Sequence, residues 1–184
     1  MMNWLQSVKR WMGETPERER ARHLYIALVE RARNPFFFTQ AGVEDSLDGR
    51  FELIIMHLYA VLSCLRNQHA GFCQLLSEVF FEDLDRSLRE MGMSDTGVPK
   101  RMRKMSEAFY GRIHAYDEAF SGSRSLEDAV RKNVYGKTDV IDAKLRLVTN
   151  DLITLKKAFS TGEAQAKLVD GLLPEIIIQD GIAA

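Results

Sequence analysis

Apolar residues return every three or four positions along most of this chain, and polar breaks cut the pattern into segments of helical length. In residues 51–66, Ile54, Leu58, Val61 and Leu65 recur at helical spacing and predict the strongest core helix. Residues 72–91 carry Phe72, Leu76, Phe80, Leu84 and Leu88 on one stripe, and Gly92 stands where a helix ends. Pro99 opens the next predicted helix, with Met102, Met105, Phe109, Ile113, Tyr116 and Phe120 along it and Gly122 at its close. Ile141, Leu145, Val148, Leu152, Leu155 and Phe159 form an a/d-type seam, which suits a bundle helix or an oligomer contact.

The remaining segments are shorter. Thr15-Pro16 reads as an N-cap with proline at the first helical position, opening a helix to about Ala32 with Leu24, Leu28 and Ala32 on one side. Asn34-Pro35 breaks it. Phe36, Phe37 and Phe38 cannot all face one way, so they are expected to plug a seam before a polar loop that runs to Asp48. A short helix is expected over residues 126–134. Residues 3–12 read as an amphipathic helix with Trp4, Val8 and Trp11 beside Lys9 and Arg10. After Pro174 comes a β-type run, Ile176, Ile177 and Ile178, which reads as a packed tail or a strap. The sum is an all-α chain: a single helical-bundle-like domain of six to seven helices. Its expected organisation is an N-terminal helix over 1–14, the main domain over 15–170 and a tail over 171–184.

Composition agrees with one packed domain, because 46% of the 184 residues are hydrophobic and prolines are few. A formal net charge of −1 leaves no global field to attract DNA or an acidic membrane, so any such contact needs a local patch. Cys64 and Cys73 sit among apolar residues and read as reduced thiols. No apolar run reaches the roughly 18 residues that a membrane span needs. The first residues lack a signal-peptide core, and Glu14, Glu17 and Glu19 interrupt a basic presequence pattern. The expected location is a bacterial cytoplasm, peripheral on the inner membrane at most, with the mitochondrial matrix as the alternative.

Chemistry-bearing patterns are sparse. Glu82, Asp83 and Asp85 invite a metal reading, yet none of His23, His57, His69 and His114 follows a glutamate by three positions, as a di-iron bundle requires. The histidines also lack zinc spacing, and neither a nucleophile elbow nor a phosphate-binding glycine loop occurs. The expectation is a protein without catalysis, metal or cofactor. Lys100, Arg101, Arg103 and Lys104 are sharper. At a helix opening each cation is unfavourable by about 0.3–1 kcal/mol, so something should compensate them. The candidates are the preceding acids (Glu78, Glu82, Asp83, Asp85 and Glu90) or an external anionic surface. Trp4 and Trp11 with their flanking cations suit either weak membrane contact or docking on the core.

Two segments carry a family likeness. FELIIMHLYAVLSCLR (residues 51–66) and FFEDLDRSLREMGMSDTGVPKRMRKMSEAFYGR (residues 80–112) resemble the ubiquinol–cytochrome c chaperone family. The most specific runs are F-x-D-L-D-x-x-L-R-E-M-G and G-V-P-K-x-M-x-K-M-x-x-A-F-Y-G-R, within a likeness over residues 21–155. The resemblance implies an all-α chaperone that binds newly made cytochrome b, or a related membrane-protein client, until haem insertion and assembly proceed. Mitochondrial members work with a small protein partner and near the ribosome. From the residues themselves, the expected client surface is the turn over residues 92–99 and its flanks. Asp83, Asp85, Arg89, Glu90 and Asp95 would make polar contacts on one side, and Lys100, Arg103 and Lys104 on the other. Met91, Met93, Met102 and Met105 flank the turn with adaptable thioethers. Two rivals stand beside this reading: a general membrane- or ribosome-associated factor, and a helical enzyme acting on a lipid or quinone.

Overall fold

The computed structural model describes residues 15–136 and 138–175. The predicted helix over residues 3–12, with Trp4 and Trp11, and the Ile176–Ile178 run lie outside the described residues. Helix α1 spans Pro16–Ala32, and the Thr15 hydroxyl caps it by accepting from the Arg18 N–H at 3.2 Å. Glu17 and Glu19 in its first turn complement the helix dipole. Leu24, Leu28 and Ala32 face the core as expected. The three phenylalanines form a helix of their own, α2 (Pro35–Thr39), capped by the Asn34 side chain. Phe36 and Phe37 are buried, and Phe38 only partly.

Helix α3, Leu47–Leu65, is the centre of the bundle, packed against α1, α5 and α7. It begins four residues before the predicted Phe51. Ser46 caps it through the Gly49 N–H, so part of the expected polar loop is the first turn. Gly49 has a steric reason: a Cβ there would lie 2.1 Å from the Glu44 carbonyl oxygen. Gly49→Ala should therefore lower stability by about 2–3 kcal/mol through overpacking. Gly111, on an open face with nothing within 4 Å, provides the contrast. Gly111→Ala should raise stability by up to about 1 kcal/mol through helix propensity. Urea midpoints that move the same way for both variants would contradict this.

Helix α4 (Ala70–Glu90) buries the predicted stripe from Phe72 to Leu88. Gly92, at φ 81°, turns the chain out of it. Helix α5 spans Gly97–Phe120, so Pro99 sits in its first turn and does not open it. A short helix α6 (Leu126–Val130) runs into a π turn over Arg131–Tyr135, where a straight helix to Val134 was expected. Helix α7 (Asp142–Phe159) resolves the seam: Leu145, Val148, Leu152, Leu155 and Phe159 are buried inside this chain, while Ile141 is 65% exposed. The seam is thus a bundle contact with α3. Lys156 of α7 lies 4.9 Å from the Tyr59 ring centroid and 4.4 Å from that of Phe120, which accounts for the partly open Phe120. Helix α8 (Gly162–Val169), capped by Thr161, adds an element the periodicity did not show. Beyond it Gly171, at φ +83°, approaches α1 so closely that a Cβ would lie 2.7 Å from the Arg20 carbonyl oxygen.

Among the described residues the architecture is all-α, with helices packed around α3. Two ion pairs enter this core. Arg31 of α1 donates to Asp151 of α7 at 2.7 Å, next to the fully buried His57 of α3. Arg112 of α5 forks onto Glu52 of α3, with contacts of 2.7–3.1 Å. Burial pushes the Glu52 carboxyl up, and the arginine opposes it.

Candidate functional site

Helices α1 and α4 meet through polar groups at their edge. Arg18 donates to Glu78 at 3.0 Å and also pairs with Glu82. The Tyr25 hydroxyl donates to Asp83 at 2.8 Å, and Arg86 reaches the same carboxylate. Burial and the Asp83 charge push the Tyr25 phenol up, so it stays a proton donor. One turn on, Arg89 donates to Asp85 at 2.7 Å and to Asp95 at 3.0 Å, tying α4 to the turn before α5. Glu78, Glu82, Asp83 and Asp85 are thus held by arginines of α1 and of α4 itself.

That arrangement corrects one expectation. The α4 acids do not fold back onto the cations of α5. Arg101 reaches across to Asp48 at the start of α3, at 2.9 Å, and Arg103 pairs with Glu107 at 3.0 Å. Lys100 and Lys104 are exposed and meet no carboxylate among the described residues. The early start of α5 also moves Arg101, Arg103 and Lys104 beyond the first turn, where the dipole acts most strongly, and leaves Lys100 at its edge. The unfavourable end effect is thus confined to Lys100, and Lys100 and Lys104 are left without a counter-charge among the described residues.

The first turns of α5 separate two clefts. The apolar one, about 320 Å³, opens between α1, α3, α4 and α5. Phe51, Ile54, Phe80, Leu84 and Met105 form its apolar lining. Asp83 and Glu90 stand along its α4 side, with Arg33 and Arg50 among its other polar groups. Leu47 and Met91, 44% and 55% exposed, belong to the same cleft. On the other side of α5 lies a polar cleft of about 410 Å³, between the start of α3 and the π turn.

The predicted contact residues divide between these features. Asp83 and Glu90 line the apolar cleft, and Lys104 lines the polar one. Asp85, Arg89 and Asp95 form the adjoining ion-pair ladder. Lys100 and Arg103 are exposed on the opening turns of α5 and line neither cleft. Residues that sequence reading missed, Tyr25, Arg33, Leu47 and Arg50, come from α1 and α3, and only the bundle brings them to α4. The histidines stay apart: His57 is enclosed by core, and His114 pairs with Glu118 at 3.5 Å on the surface. Among the described residues no group of three or more His, Cys, Asp or Glu side chains is placed to hold a metal. Burial raises the Cys73 thiol to about 11, far from a reactive thiolate.

The family model for ubiquinol-cytochrome C chaperones matches residues 39–167, most of the chain, including the α3, α4 and α5 parts of this site. The chain belongs to that family. Ubiquinol-cytochrome-c reductase complex assembly factor 1 of Xenopus laevis is 29% identical over 132 residues, covering 70% of this chain and 66% of the relative. The human protein of that name is 25% identical over 121 residues, covering 64% of this chain and 40% of the relative. This chain thus spans less than two thirds of the length of these curated relatives. The crystal structure of the Cbp3 homolog from Brucella abortus superposes with a TM-score of 0.77 at 25% identity, covering 96% of this chain and 98% of that one. In this chaperone-family chain no described helix is long and apolar enough to cross a membrane.

Proposed function

We propose that this chain is a non-catalytic assembly chaperone that holds newly made cytochrome b, or a related membrane subunit, during biogenesis of the ubiquinol–cytochrome c reductase complex. The observation that carries the reading is the apolar cleft with acids beside it. A membrane subunit outside its bilayer exposes apolar helix surface next to loops enriched in lysine and arginine. Leu47, Ile54 and Met91 offer an apolar surface for the first, over buried Phe80, Leu84 and Met105, and Asp83 and Glu90 offer carboxylates for the second. Met91, largely exposed, adds a thioether that adjusts to varied apolar shapes. Asp85, Arg89 and Asp95 extend the polar surface on one side, while Lys100, Arg103 and Lys104 meet acidic loop residues on the other. The segment bearing Trp4 and Trp11 adds weak contact with the membrane surface, where a peripheral chaperone meets its client. A small protein partner or the ribosome would dock outside this cleft.

Asp83 also supports the fold through Tyr25, so the decisive variant spares it. Asp85→Lys combined with Glu90→Lys reverses two charges on the α4 face. Each exposed charge pair is worth up to about 1 kcal/mol, so the double reversal should weaken client capture by about tenfold or more. The measurements are capture of cytochrome b from gently solubilised membranes and cellular content of the assembled complex. Circular dichroism should show an intact helical fold. Undiminished capture with normal complex content would falsify the reading. Loss of several unrelated membrane complexes would favour a general factor instead.

A further inference from the structure

The polar cleft behind α5 shares Lys104 with the proposed client surface and adds groups that the client reading does not use. Two ion pairs build its walls, Arg101 with Asp48 at 2.9 Å and Arg112 with Glu52 at 2.7 Å. Two more cations line it: Lys104 of α5 and Lys132 of the π turn. Both are exposed, and neither meets a carboxylate among the described residues. Asn133, next to Lys132, also lines the cleft and is only 8% exposed. Its amide Nδ2 has no hydrogen-bond partner. Tyr116 Oη, itself without a partner in good geometry, lies beside this amide; burial pushes its phenol up, and the amide eases it down. A buried donor left unpaired is costly, so a turn of the Asn133 amide toward an acceptor in the cleft would relieve it.

Charge defines that acceptor. The carboxylates of Asp48 and Glu52 are already engaged by arginines, and Glu44 is the further acid of the cleft. Two unengaged ammonium groups and a buried amide donor remain, more positive than Glu44 offsets. Lysines bind phosphate as point charges, and the volume of about 410 Å³ is that of a small-ligand site. We propose that this cleft binds a phosphate-class oxyanion, with Lys104 and Lys132 as its counter-charges and Asn133 Nδ2 as a hydrogen-bond donor. A soluble phosphate-bearing metabolite and a phospholipid headgroup present the same chemistry. Lys132 and Asn133 lie outside the proposed client surface, so the site is tested apart from that reading.

Calorimetric titration of the full chain with inorganic pyrophosphate at low ionic strength tests it, beside flotation with phosphatidylglycerol or phosphatidylcholine vesicles. Saturable binding of either anionic probe is expected. Lys132→Ala, an exposed change that leaves the fold intact, should weaken that binding about tenfold, the loss of one charge-assisted contact. Lys104→Ala should do the same. Asn133→Asp, close to isosteric, should abolish it, and if this variant fails to fold the two lysine variants decide. The Asp85→Lys, Glu90→Lys variant should bind the anion normally, which separates this site from the client cleft. Pyrophosphate binding without vesicle binding identifies a soluble ligand; vesicle binding lost in Lys132→Ala identifies a headgroup. The proposal fails if neither anionic probe binds saturably, if both lysine variants bind like the wild type, or if chloride at matched ionic strength competes equally well.

Discussion

Asp151→Ala removes about 3–5 kcal/mol of stability, the loss expected when one member of a buried ion pair is deleted. Asp151 and Arg31 keep only 5% and 9% of their side chains open to solvent, so water cannot replace the lost carboxylate. The pair joins α1 to α7 across α3, and the change should lower the urea midpoint without changing the far-ultraviolet helix signal at low denaturant. The double variant Arg31→Met, Asp151→Leu should recover most of the loss, because apolar groups of similar volume need no counter-charge. A loss below about 1 kcal/mol, typical of an exposed pair, would mean that the site is wet.

The same cluster has a pH signature. His57 is fully buried, its Nδ1 lies 2.8 Å from the Leu53 carbonyl oxygen, and its Nε2 faces Asp151 at 3.7 Å. Burial lowers the imidazole pKa and outweighs the Asp151 charge that raises it. The folded protein therefore keeps His57 neutral where the unfolded chain, with a value near 6.5, takes up a proton. This contribution is complete above the unfolded value and is lost as pH falls below it. His57→Gln should flatten that part of the stability curve between about pH 7 and pH 5.

Phe80→Ala costs a similar amount, about 3–5 kcal/mol. Phe80 is 1% exposed and lies among four other rings. Their centroids stand 5.0 Å (Phe81), 5.3 Å (Phe109), 6.0 Å (Phe51) and 6.3 Å (Tyr25) away. Removing the hub strips contacts from α1, α3, α4 and α5 at once, and neighbouring rings cannot collapse far without leaving their rotamers. Phe80→Leu should lose clearly less. Equal losses for the two variants in urea titration would show that the cavity closes.

The stripes on α4 and α7 were legible because burial on one face leaves a helical period in the residues themselves. Thr15-Pro16 and Gly92 were equally plain, since a cap and a left-handed turn each demand particular side chains. The start of α3 was not, because Gly49 beside polar residues reads as loop until the Glu44 carbonyl beneath it is seen. The start of α5 was missed for a related reason: Thr96 makes no side-chain cap there, so Pro99 was the sole strong signal. Half of the candidate site was visible as the acids of α4 and the cations of α5. Their partners were not, because Arg18, Asp48 and Tyr25 lie far away in the chain.

Residue order alone was enough to establish an all-α bundle, the placement of most helices and the family likeness, because these rest on spacing, caps and runs of neighbouring residues. Which charge answers which was settled only by packing. The order of helices around α3 sends Arg31 to Asp151 and Arg112 to Glu52, and it leaves Lys104 and Lys132 facing an open cleft. Ion pairing acts over a few ångströms, and no local pattern records which distant helix will come within that reach.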